Sequence, residues 1–330
     1  MGATGEVMGD PPGAAVACPA PSGPRLVPFG GGKGGVGKTF VAANLAATLA
    51  RAGYRVIAVD GDLEGANLHT ALGVTRPRTS VAEFVAEREE DVGKLVEDTP
   101  VENLRLISAV RPNLANPQPS HARRIHFVRG LRQLDADFVF LDLAAGTDDA
   151  VMDYFMVCDD GVVVLAPEPT SIENAYAFMR AAFYRRLRLT MSSPEMRELV
   201  AVAMDECNER GIRTPVDLLR ELESLDPQEG ARGVAVMRAF RPRLLVNGVR
   251  SADDIKLGFS VRSVCKRYFG IESEYLGYVN HDEAALLSVR ACQPLVDASP
   301  RSDAAIYFAR IARKLLAPRS AAAGAGSGTP

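Results

Sequence analysis

No pair among the five cysteines of this 330-residue chain, at positions 18, 158, 207, 265 and 292, has C-x-x-C spacing. That argues against a zinc ribbon, and an odd, scattered set argues against a disulfide framework. The four histidines form no H-x-x-x-H pair, so the expectation is a reduced, cytoplasmic protein without a histidine–cysteine metal site. No run of 18 apolar residues occurs, which excludes a membrane-spanning helix. The N-terminus lacks a basic region ahead of an apolar run, and proline interrupts its apolar residues. It does not read as a signal peptide. A net charge of −3 and a pI near 5.9 give no whole-surface attraction to nucleic acid and leave room only for a local basic patch.

What is present is a regular alternation. Strand candidates at 25–29, 54–60, 103–110, 137–143, 161–167, 243–249 and 274–279 are separated by helical stretches such as 39–53 and 171–187. Several strands are nearly continuous apolar runs, as in sheets buried on both faces. The pattern predicts an α/β fold, a doubly wound, mostly parallel sheet with helices on both faces. Ile172, Ala175, Met179, Ala182 and Phe183 fall on one helical face. Residues 190–240 break the rhythm with two helices and no strand. One starts at Ser193-Pro194 and closes on Gly211, the other starts at a Thr214-x-x-Asp217 capping box. This segment reads as a helical insertion within one domain spanning 25–317. Residues 1–24 and 318–330, rich in Gly, Pro, Ala and Ser, read as disordered. Pro28 in the first strand predicts a bulge or an unpaired position.

Gly32-Lys33-Gly34-Gly35-Val36-Gly37-Lys38-Thr39 fits G-x-x-x-x-G-K-[ST] between a strand and a helix. Its glycines let successive N–H groups point at phosphate oxygens, and the helix N-terminus adds a positive dipole end. Lys38 is expected to bridge the β- and γ-phosphates and Thr39 to ligate Mg²⁺. Phe40 stands where a polar residue that touches the α-phosphate is commoner. Asp142 ends the fourth strand candidate as a group for the metal's water shell. Gly146, four residues on, is placed to offer its N–H to a γ-phosphate. Asp60 and Asp62 follow the second strand, where a carboxylate can orient an attacking water. The reading is therefore an ATP hydrolase using Mg²⁺.

Together "KGGVGKT", "VDGDLEGAN" and "LDLAAGT" resemble the deviant Walker A ATPases of the MinD/ParA type, and "APEPTSIENAYAFM" resembles the branch containing the flagellar-number regulators. The resemblance implies that Lys33 reaches across an ATP-bound homodimer to the partner's phosphates, the alternative being a contact within its own chain or a solvated lysine. It implies that Asp62 positions the water, that Asp60 lies near the metal, that Asn247 contacts adenine, and that Asp282 occupies a second base-contacting position. The implied function is a slow, partner-stimulated, ATP-dependent dimerisation switch in the spatial organisation of a division site, polar organelle or motility apparatus. The implied partners are a protein activator or cargo, and a peripheral membrane contact at the inner face. For the latter, the basic amphipathic segment 302–319 is the candidate, unless it packs on the sheet. The alternative is a nucleoid-binding partition ATPase, using arginines 123, 124, 129, 132, 180, 185, 186 and 188 on phosphates. The absent C-x-x-C pair argues against an iron–sulfur carrier, and a tail without tyrosine against a tyrosine kinase.

Overall fold

The computed structural model describes residues 23–110, 119–158, 161–205 and 208–317. The two segments expected to be disordered lie almost wholly outside the described residues. Eight strands form one sheet: β1 (Arg25–Gly30), β2 (Val56–Asp60), β3 (Glu97–Asp98), β4 (Leu104–Ile107), β5 (Phe138–Asp142), β6 (Val162–Leu165), β7 (Arg243–Val249) and β8 (Glu274–Asn280). Their order is β3-β4-β2-β5-β1-β6-β7-β8. All pairs are parallel except β3–β4. β3 is the strand the sequence does not announce, being only two charged residues long. Short, charged edge strands of this kind discourage pairing with another chain.

Helices cover both faces and make two apolar cores. One contains Ala175, Phe178, Met179, Ala182 and Phe183 from the Pro169–Thr190 helix, with Ile172 packed at its margin. The other joins the Lys38–Arg51 helix to the Asp303–Leu316 helix. In the latter, Ala304, Ala305, Phe308, Ile311, Ala312 and Leu315 are all buried. The apolar stripe of the Asp303–Leu316 helix therefore faces the sheet, and the expectation that this segment serves a membrane is not supported by its packing. No helix among the described residues is long and apolar enough to cross a membrane.

Pro28 makes no bulge. β1 keeps unbroken register with β5, including Pro28 opposite Leu141. Arg25 N–H donates to Asp137 and the Phe29 carbonyl accepts from Leu143, so the odd-numbered residues face β5. Pro28 thus faces β6, which pairs with β1 only from Phe29 onward. Its missing N–H falls where no ladder partner is required.

Between β6 and β7 the sequence predicts two helices after the Pro169–Thr190 helix, and the described residues form three: Pro194–Val202, Pro215–Leu225 and Pro227–Ala239. The Thr214–Asp217 capping box is complete in both directions. The first helix stops at Val202, well before Gly211. Asn208 supplies the alternative to a continuing helix, since its side chain binds Ile212 N–H at 3.1 Å and the Ile212 carbonyl at 2.7 Å.

Candidate nucleotide site

The strand order determines the site. β5 lies between β2 and β1, so the loops after these three strands open side by side at the carboxyl edge of the sheet. Ligands bind at this edge in open α/β sheets. Asp60 and Asp142 are register partners across β2–β5, and Phe29, at the last β1–β5 pair, is opposite Asp142.

The loop between Gly30 and Lys38 turns through Gly35 and Gly37, at φ 79° and 88°. This left-handed backbone is one that glycine adopts without strain. Asn247 Nδ2 donates to the Val36 carbonyl at 3.0 Å, and a Cβ on Gly37 would lie 2.3 Å from it. Gly32 sits against the Asn174 carbonyl oxygen, 2.2 Å from where a Cβ would be, whereas Gly34 has only the Ala145 Cβ at 4.0 Å. Gly32→Ala is therefore expected to displace the loop, lowering thermal stability by several degrees and weakening nucleotide binding. Gly34→Ala serves as the control in thermal denaturation of the nucleotide-free chain and leaves stability nearly unchanged.

Lys38 is buried, and burial lowers its pKa against the opposing pull of Asp142 and Asp62. Asp142 is buried on the adjacent strand end, accepts a hydrogen bond from the Thr39 side chain, and is pushed up to about 7 by burial. Its Oδ1 has no hydrogen-bond partner among the described residues. A buried carboxylate oxygen without a partner, beside a threonine hydroxyl, is a donor set that suits a hard divalent cation. Asp60 is pushed up to about 8, first by burial and then by Asp142. Its two oxygens accept Asp62 N–H at 3.1 Å and Leu68 N–H at 3.2 Å, so it also ties down the loop after β2.

These raised values have a consequence for stability. The folded, nucleotide-free chain keeps protons on Asp60 and Asp142 that the unfolded chain releases above the ordinary value of 3.8. Stability is therefore greatest at low pH within this window and falls as pH rises from about 4 to about 8. Asp60→Asn is expected to flatten that fall, read as a smaller drop in Tm between about pH 6 and pH 8.5. An unchanged slope would contradict it.

Asp62 is half-buried, and its Oδ1 accepts Glu64 N–H at 3.1 Å and Gly65 N–H at 2.7 Å. It borders two cavities. One, of 470 Å³, runs from Lys38 and Thr39 past Phe40 and Asn44 to Thr70, Val289 and Gln293. The other, of 400 Å³, lies between the loops after β2 and β5. Gly146, at φ 107°, directs its N–H to the Gly31 carbonyl at 3.4 Å, against the phosphate loop. Phe40 lines the larger cavity and meets Phe308 edge-on at 5.7 Å.

The remaining expected residues are placed differently. Lys33 Nζ donates to Glu168 Oε2 at 2.6 Å and to Thr170 Oγ1 at 2.9 Å, a contact within the chain. Asp282 caps the Glu283–Arg290 helix, with one oxygen on Ala284 N–H at 2.9 Å and the other on Ala304 N–H at 3.1 Å. Neither Asn247 nor Asp282 lines the larger cavity. Sequence reasoning did not identify Glu168, Thr170, Asn44, Val289 or Gln293. The first two lie inside the "APEPTSIENAYAFM" motif, which marked a branch without indicating a contact.

The arginine faces also change character. Arg124 and Arg185 are buried on Asp153. Arg123 binds Glu90 and stacks on Phe84, while Arg132 and Arg180 donate to the carbonyls of Val157 and Met204. Most of the arginines proposed for phosphate contact thus hold the fold together.

Comparison with known proteins agrees with this fold. Residues 29–285 match the CobQ/CobB/MinD/ParA nucleotide binding domain. The chain is 27% identical over 295 residues to the antiactivator FleN of Pseudomonas aeruginosa, covering 88% of this chain and 86% of that protein. It is 31% identical over 153 residues to a putative septum site-determining protein MinD of Oltmannsiellopsis viridis, covering 46% and 48%. Among solved structures, the MinD of Pyrococcus horikoshii complexed with Mg-ADP superposes with a TM-score of 0.56 at 20% identity, covering 88% of this chain and 95% of that one. With a phosphate loop, two strand-end aspartates and a family match across most of its length, the chain belongs to the CobQ/CobB/MinD/ParA nucleotide-binding family.

Proposed function

We propose that this chain is a MinD/ParA-type ATPase that dimerises with ATP, hydrolyses it slowly to ADP and phosphate, and is released by that hydrolysis. The observation that carries the reading is the convergence of buried Lys38, Thr39 and the unpartnered oxygen of Asp142 beside half-buried Asp62. Thr39 and Asp142 would hold Mg²⁺, and Asp60 fixes the loop behind them. Mg²⁺ held there would supply positive charge to the nucleotide's phosphates. Lys38 binds the β- and γ-phosphates, and Gly146 exchanges its N–H from Gly31 to the γ-phosphate. Asp62 orients the attacking water and accepts its proton. Asn247 and the loop at Asp282 receive the adenine, Asn247 through the amide groups that its bond to the Val36 carbonyl leaves over.

The relatives named for septum-site determination and antiactivation support a role in placing or counting a cellular structure through a protein activator or cargo. We assign the ATPase domain to 25–317 with 190–240 as its inserted helical segment. The internal pairing of most of the arginines disfavours the nucleoid-binding alternative.

Sedimentation with ATP and with ADP tests the switch. Dimerisation is expected with ATP alone, together with slow phosphate release that Lys38→Ala abolishes. A nucleotide-independent oligomeric state would overturn the proposal.

A further inference from the structure

The turn after β6 and the first residues of the Pro169–Thr190 helix have no place in the chemistry above, yet they touch the phosphate loop twice. Gly32 lies against the Asn174 backbone, and Lys33 ends on Glu168 and Thr170. The turn holds its own shape. Ser171 Oγ accepts Ala166 N–H at 2.9 Å, Glu168 N–H reaches the Ala166 carbonyl at 2.8 Å, and Pro169 opens the helix. Glu168 therefore projects from an ordered turn, and its side chain performs no capping of the helix it precedes.

We infer that Glu168, with Thr170, is a latch that holds Lys33 within its own chain and competes directly with the partner subunit's nucleotide for that lysine. This rests on the ATP-dimer reading and deepens it. Lys33 has one ammonium group. While two of its three donors hold it on a carboxylate and a hydroxyl of its own chain, that ammonium cannot also reach a phosphate across an interface. The pair is 35% and 59% exposed at its two side chains, so it is strong enough to bias the lysine and weak enough to be displaced by a polyphosphate. Glu168 is thus a positioning residue that sets how much ATP and protein are needed before two chains close. It explains why Lys33, though part of the phosphate loop, does not line the cavity that holds Lys38 and Thr39.

Glu168→Gln keeps the size and backbone preference of the side chain and removes its charge. In sedimentation with saturating ATP, the variant is expected to dimerise at about two- to tenfold lower protein concentration, since two latches open per dimer. ADP affinity should stay within about twofold, and Glu168→Asp should restore most of the wild-type threshold. A threshold that is unchanged or higher in Glu168→Gln would overturn the latch. A higher one would assign Glu168 to the closed dimer instead.

A second measurement needs no dimer. Acylation of Lys33 in the nucleotide-free chain, followed by peptide mass spectrometry, should be about two- to fivefold faster in Glu168→Gln than in wild type. Equal rates would also overturn the inference. If the wild-type chain remains monomeric with ATP, the dimer reading fails, while this rate still decides whether Glu168 holds Lys33.

Discussion

Lys33→Ala is expected to leave nucleotide binding within about threefold of wild type while abolishing the ATP-dependent dimer. The separation follows from the placement of the two lysines. Lys38 is buried at the helix start, within electrostatic reach of Asp142 and Asp62. Lys33 lies on the outside of the loop, against Glu168 and Thr170. A charge-assisted hydrogen bond contributes about 1.5–3 kcal/mol. Twofold symmetry makes the cross-subunit contact twice. Its loss therefore costs the dimer about 3–6 kcal/mol, a rise of roughly a hundredfold or more in its dissociation constant. The exposed Glu168 contact given up on closure offsets this only slightly, because such surface pairs are worth well under about 1 kcal/mol each. Sedimentation equilibrium with ATP, paired with a fluorescent-ADP titration, reads both quantities. A dimer of wild-type strength in Lys33→Ala would remove this lysine from the interface.

The elements most legible in the sequence are those whose cause is local. "GGKGGVGKT" is contiguous, so its loop, helix start and lysines could be read together. The seven longer strands were visible as apolar runs because both faces of the sheet are covered. The Pro227–Ala239 helix was not visible, and Gly230 and Gly233 are the reason. Glycine normally weakens a helix interior. Here a Cβ at Gly230 would lie 2.6 Å from Glu223 Cα, and one at Gly233 2.4 Å from Leu219 Cδ2. Both glycines allow close packing on the preceding helix, a tertiary reason that no local pattern carries.

The same division applies to the site. Lys38, Thr39 and Asp142 are joined by one parallel strand pair and were readable from strand ends. Lys33 and Glu168 are 135 positions apart and meet only because β6 lies beside β1. Asp282 illustrates the converse. The family resemblance implied a base contact for it, and the structure shows a second task that no motif announced, since its two oxygens accept the Ala284 and Ala304 N–H groups. In Phe40 the substitution of an aromatic ring for a hydroxyl has a visible counterpart in Phe308, which ties the phosphate-loop helix to the Asp303–Leu316 helix.

Asp62→Ala is expected to lower ATP turnover by about a hundredfold or more and to leave the dimer trapped with ATP, since a positioned general base contributes roughly 10²–10⁴. The structure adds a complication that decides the design of the experiment. Asp62 Oδ1 also accepts Glu64 and Gly65 N–H, shaping the loop after β2. Alanine removes the charge and the turn together, so the loss could arise from a displaced loop. Asp62→Asn separates the two, because the amide oxygen still accepts from Glu64 and Gly65 while the basic carboxylate is gone. If Asp62 acts on water, asparagine should lose nearly as much turnover as alanine, with the dimer persisting in both. If Asp62 only shapes the loop, asparagine should restore phosphate release to near wild type. Single-turnover phosphate release on the preformed dimer distinguishes these outcomes, because it excludes nucleotide exchange and dimer assembly from the measured rate. Turnover unchanged in both variants would leave the attacking water without a base on this chain.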